Sequence, residues 1–270
     1  MKKLLFFIGF ILTSCHIFGY RDADKIINQI LGPNASVQQK WNMALELKEY
    51  DWIKYQIKNN ISFKKMANNL LIKYLKNGDL ESAETLLSFG ADPNGYNDSI
   101  GKNIFLNAIN SKNMPEAKLL LKYGANPNLT TYDNLRGERV SILELAVYDH
   151  DLALMELLLN FKANPNLNPA KNYPPLIYAI MELGLLIQSR DFNNNNTKEI
   201  ETLIDIAIIL LQHGAITQTT STKEDVLLRI VNNAKSNLKT ILEKQLISES
   251  NYLRVKSKLE NLEKLTVESI

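Results

Sequence analysis

An all-α stack of paired helices, with loop or hairpin arms between the pairs, is the fold class the sequence predicts, and three observations predict it. A leucine-rich helix end followed by a turn recurs four times: "LLSFGADPN" at 86–94, "LLLKYGANPN" at 119–128, "LLNFKANPN" at 158–166 and a worn "LLQHGAITQ" at 210–218. The corner positions Gly90, Gly124, Lys162 and Gly214 stand 34, 38 and 52 residues apart. Each interval is a base unit of about 33 residues with extra loop, the mark of a solenoid. Finally, the last fifty residues carry apolar side chains at helical spacing, as the end of such a stack requires.

The amino terminus opens with "MKKLLFFIGFILTSCHIFGY". Lys2 and Lys3 precede an apolar run of about eleven residues, Leu4 to Ser14, so residues 1–14 read as an export signal. "LTSC" resembles the lipobox of bacterial lipoproteins, which implies that Cys15 is lipidated, becomes the first mature residue and holds the chain to a membrane. Counted past Cys15, the apolar stretch reaches about 17 residues, so a retained anchor is the alternative. Residues 15–36 read as a tether and short helix ending in "LGPNAS". Cys15 is the sole cysteine, which excludes an internal disulfide and any cysteine-based metal site. Without Lys2 and Lys3 the 31 basic residues become 29 against 29 acidic ones, so no nucleic-acid partner is expected.

"MALELKEYDWIKYQIKNN" lies in a degenerate N-terminal cap repeat over 37–66, and about four repeats fill 67–219. In each corner, glycine supplies the left-handed residue that closes a helix, while Pro93, Pro127 and Pro165 keep the helix from resuming. Asp92, Asn126 and Asn164 suit the turn between. Upstream of the corners lie "NIFLNAI" (103–109), "SILELAV" (141–147) and "PPLIYAI" (174–180). Asn103 and Ser141 can cap a first helix, and Pro175 suits its first position. These segments are similar to the ankyrin pattern T-P-L-H-x-A, and with the period they make residues 67–219 resemble an ankyrin-repeat domain. The family histidine is replaced by Leu106, Glu144 and Ile177, and Lys162 stands where glycine is preferred. "LIQSRDFNNNNTKEIE" reads as a flexible insertion in the fourth repeat. Residues 220–270 form a helical cap, with one stripe of Leu227, Ile230, Val231, Ala234, Leu238, Ile241 and Leu242 and another of Tyr252, Val255, Leu259, Leu262 and Leu265.

Catalytic chemistry finds no foothold in this sequence. His16, His150 and His213 are the only histidines, placed in the tether, an inter-helix turn and a helix end, and no nucleotide, hydrolase or metalloprotease motif is present. No enzyme, cofactor or metal site is expected. The ankyrin resemblance implies recognition through arms that project between repeats, here 94–102, 128–140 and 166–173. Candidate contacts on them are Tyr96, Asn97, Tyr132, Asp133, Arg136, Arg139 and Tyr173; tyrosine joins apolar area to a polar tip, as binding hot spots favour. The sequence therefore predicts a monomeric, non-enzymatic protein-binding module, exported and lipid-anchored in a bacterial cell envelope on its periplasmic or surface side. The alternatives are an accessory or inhibitor of one enzyme, or a secreted effector acting in another cell.

Overall fold

A computed structural model of the chain describes residues 20–97, 102–170, 173–188, 196–216, 226–243 and 247–268. The leader and Cys15 lie outside these residues. The described chain is mostly helical, with thirteen helices and two antiparallel two-stranded sheets, in two compact units, Met1–Ala125 and Asn126–Ile270.

In the first unit, α1 (Tyr20–Leu31) packs on α2 (Val37–Glu46) and α3 (Tyr50–Asn59). It buries Ala23 and Ile27, and its Asp24 accepts hydrogen bonds from Trp52 Nε1 at 3.3 Å and Asn28 Nδ2 at 3.0 Å. Residues 20–31 of the 15–36 stretch are thus a docked helix. Helix α2 starts at a reciprocal capping box between Ser36 and Gln39. Trp41, Trp52 and Phe63 form an aromatic core, with Phe63 edge-on to Trp52 at 5.3 Å. The helix pairs α4 (Ile61–Lys76) with α5 (Leu80–Ser88) and α6 (Ile104–Asn110) with α7 (Met114–Lys122) follow. Helix α4 begins inside the stretch read as a cap repeat, because Asn60 caps it by accepting from Ser62 N at 3.0 Å. Between the pairs, β1 (Tyr96–Asn97) and β2 (Lys102–Asn103) form a short ladder.

The second unit opens on β3 (Thr130–Asp133) and β4 (Glu138–Ser141), paired in the register Tyr132 opposite Arg139. The pair α8 (Ile142–Tyr148) and α9 (Leu152–Asn160) comes next, then α10 (Pro175–Gln188) and α11 (Asn196–Gln212). The segment read as a flexible insertion is partly helical: it lengthens α10 to 14 residues and α11 to 17, against 7 and 9 in α8 and α9. Ile187, Thr197 and Ile200 are buried, which is why the helices extend; residues 189–195 lie outside the described chain. Helices α12 (Val226–Glu243) and α13 (Glu249–Glu268) complete the unit. Val255, Leu259 and Leu262 of α13 are buried where it packs on α11 and α12. Lys258 pairs with Asp205 at 2.5 Å, Arg254 with Glu201 and Lys235 with Glu263. The side chains of Leu227, Leu238, Ile241 and Leu242 lie outside those described.

One local geometry is reused throughout. At each corner, a left-handed residue (Gly90, Gly124, Lys162, Gly214) donates its N–H to the carbonyl three residues back, and the next alanine donates to the one five back. Ala91, Ala125, Ala163 and Ala215 are buried by that closure. The turns inside the pairs repeat it with Lys48, Gly78, Lys112 and His150, at φ of 57°, 71°, 51° and 53°.

Candidate interaction surface

Of the arms, 128–140 is the best formed. Its turn is organised by Asp133, whose carboxylate accepts from Leu135 N at 2.9 Å and from Arg136 Nη1 at 2.6 Å, while Gly137, at φ 71°, closes the loop onto Asp133 O at 2.8 Å. The Arg136 side chain, the first cause of the effect, holds the Asp133 carboxyl below the ordinary carboxylate value. The Arg136 guanidinium lies 3.9 Å above the Tyr148 ring, and Tyr148 meets Tyr178 edge-on at 4.2 Å. Burial, with Glu144 and Glu138 nearby, pushes the Tyr148 phenol up to about 12. Asp133 and Arg136 therefore fasten the hairpin to α8 and α10, and their polar groups face inward to that task.

What the hairpin shows to solvent is different. Tyr132 is 59% exposed and Leu135, at the tip, 94% exposed; Arg139 is exposed and braced by a bond from its Nη1 to Thr130 Oγ1 at 3.1 Å. Tyr96 is exposed on β1, with Asn103 opposite; Asn97 stands opposite Lys102, and its side chain lies outside those described. Tyr173 is exposed at the end of the third arm, which forms no strand among its described residues. The structure thus groups Tyr132, Leu135 and Arg139 on one braced hairpin and does not place Tyr96 or Tyr173 on it.

Sequence reasoning missed Leu135, whose signal was an apolar residue in an otherwise polar turn. It also missed the last asparagine of each corner motif. Asn94 Nδ2 donates to Gly124 O at 3.0 Å in the first unit. In the second, Asn128 Oδ1 accepts from Asn164 N at 2.7 Å, and Asn166 donates to Gly214 O at 2.9 Å and accepts from Ile216 N at 2.8 Å. These amides are rungs between successive corners, and the recurring "PN" was the visible trace.

His150 Nε2 lies 3.1 Å from Glu182, and His213 Nδ1 lies 2.8 Å from Ile209 O at its own helix end. Among the described residues no group of three or more histidine, cysteine or acidic side chains could hold a metal. An apolar groove of about 210 Å³ between α10 and α12, lined by Met181, Leu185, Ile187, Ile230 and Ala234, carries no titratable side chain. No helix among the described residues is long and apolar enough to cross a membrane. No protein-family model matches the chain, and no curated protein matches it.

Proposed function

We propose that the chain is an ankyrin-type repeat scaffold that binds a protein partner without catalysis, exported and anchored in a bacterial envelope through lipid on Cys15. One observation carries the reading: the same closed corner recurs at about the ankyrin period, tied to its neighbour by asparagine rungs, with a braced hairpin between corners. Such hairpins display side chains at little entropic cost, because bracing has already fixed them. Tyr132 and Leu135 supply the anchor contacts and Arg139 the polar rim. The acyl chains contribute about 0.8 kcal/mol for each buried methylene.

Two experiments test this. A photo-crosslinker at position 132 or 135 is expected to trap the same protein, and one at the exposed Asn232 of α12 is not. Tyr132→Ala and Leu135→Ala are each expected to weaken that partner's binding about tenfold. Equal trapping from position 232, or unchanged affinity in both variants, removes the hairpin from the interface. Labelled fatty acid is expected to enter the wild-type chain but not Cys15→Ala; an unlabelled wild type removes the anchor.

A further inference from the structure

We propose that the first unit carries a second membrane contact: a lysine-ringed corner between α3 and α4 that rests on the headgroups of anionic lipids. The proposal extends the reading of the chain as membrane-anchored, but it stands on separate residues.

Between Trp52 and Gly78 the sequence holds Lys54, Lys58, Lys64, Lys65, Lys73 and Lys76 and not one acidic residue or arginine. The rest of the chain, by contrast, has 25 basic residues against 29 acidic ones, an acidic excess. The fold concentrates this run further. Lys54, Lys58, Lys64 and Lys65 are exposed around the corner at Asn59 and Asn60, where α3 ends and α4 begins. Among the described residues, Lys58, Lys64 and Lys65 have no carboxylate within salt-bridge reach, and Lys54 has only Asp51, itself in open solvent, at 3.7 Å. Their charges are therefore available to something outside the unit. The amino-terminal end of α4 adds its own positive dipole at the same corner.

At the same corner stands Ile61, 85% exposed at the first position of α4. Tyr55 is exposed on the preceding helix. Lys54, Ile57, Lys58 and Lys64 also face Phe89 and Gly90 across an open groove of about 420 Å³. An exposed apolar side chain among unpaired cations suits a lipid interface, where the cations stay among phosphates and the apolar tip reaches the acyl boundary. A free anion would use the lysines and leave Ile61 in water. The use of lysine alone points the same way. Arginine's planar fork suits bidentate recognition of one phosphate or carboxylate, whereas flexible lysines follow a diffuse charged surface.

The test uses the full chain carrying Cys15→Ala and Ile61→Cys, with a polarity-sensitive dye attached at position 61. The control carries the dye through Ile216→Cys, at an exposed position of the second unit. Phosphatidylcholine vesicles, with and without phosphatidylglycerol, are the probes. The dye at 61 is expected to shift to the blue only with phosphatidylglycerol and to revert at high salt; the dye at 216 is expected not to respond. Lys58→Gln, Lys64→Gln and Lys65→Gln together are expected to weaken the phosphatidylglycerol-dependent response about 100-fold. These are exposed positions, and retention of the wild-type circular dichroism spectrum reports that the fold is kept. A silent dye at 61, an equal shift on both vesicle types, or a response to polyglutamate in place of vesicles each overturns the proposal. Because the reporter lacks Cys15, fatty-acid labelling with a silent position 61 leaves the anchor and removes the corner; the reverse pair of results leaves the corner and removes the anchor.

Discussion

Glu144 is fully buried at the third position of α8, where the ankyrin pattern has histidine. One carboxylate oxygen accepts from Ser141 N at 2.5 Å; the other is buried with no hydrogen-bond partner among the described residues. Burial pushes its carboxyl above the ordinary glutamate value of 4.5; the Ser141 bonds act in the opposite direction, and Glu138 adds to the rise. A raised value means that the folded chain keeps this proton longer than the unfolded one. Its contribution to stability is therefore full below about pH 4.5 and falls as pH rises through the folded value. Glu144→Gln keeps the capping box and removes the charge. Denaturant unfolding of this variant is expected to show a higher midpoint than wild type at neutral pH and the same midpoint in acid. The cap itself was legible in "SILE", since serine three residues before glutamate has a local meaning. The burial of Glu144 was not, because it depends on strands and helices distant in the sequence.

The 128–140 arm shows how an element is stiffened. Its strands are only four residues each, and a hairpin alone is marginal in water. Stability comes from Arg136, which holds the largely buried Asp133 on one side and stacks on Tyr148 on the other. Arg136→Ala leaves that carboxylate short of its charged partner and is expected to cost about 1–3 kcal/mol. Amide exchange across 130–141 is expected to quicken in this variant, while exchange in α12 and α13 stays as it is. Strand pairs 96–97 with 102–103 and 130–133 with 138–141 form where the corner motif led arms to be expected, because glycine and proline act where they stand. Which polar residues face inward was hidden: Asp133 and Arg136 look like surface charges until the hairpin folds onto Tyr148. The asparagine-rich insertion misled for a related reason. Its composition signals a loop, but burial of Ile187 and Ile200 draws its flanks into α10 and α11.

At the scale of the second unit, one helix covers two others. Helix α13 lies over α11 and α12, closing apolar surface with Leu259 at its centre, wholly buried. Leu259→Ala is expected to destabilise the second unit by about 2–5 kcal/mol, read from its thermal unfolding. The two helices of the last fifty residues were legible from periodicity, which placed Val231, Ala234, Val255, Leu259 and Leu262 on their buried sides. The ion pairs of α13 with α11 were not, because they join residues such as Arg254 and Glu201 across more than fifty positions. The rungs at Asn94, Asn128 and Asn166 have a consequence for how such a chain can change. Each amide reads only the neighbouring corner, so alignment is fixed by a few atoms and is indifferent to the length of chain between them. Rungs that span 30, 36 and 48 positions thereby do the same work, each inside its own unit.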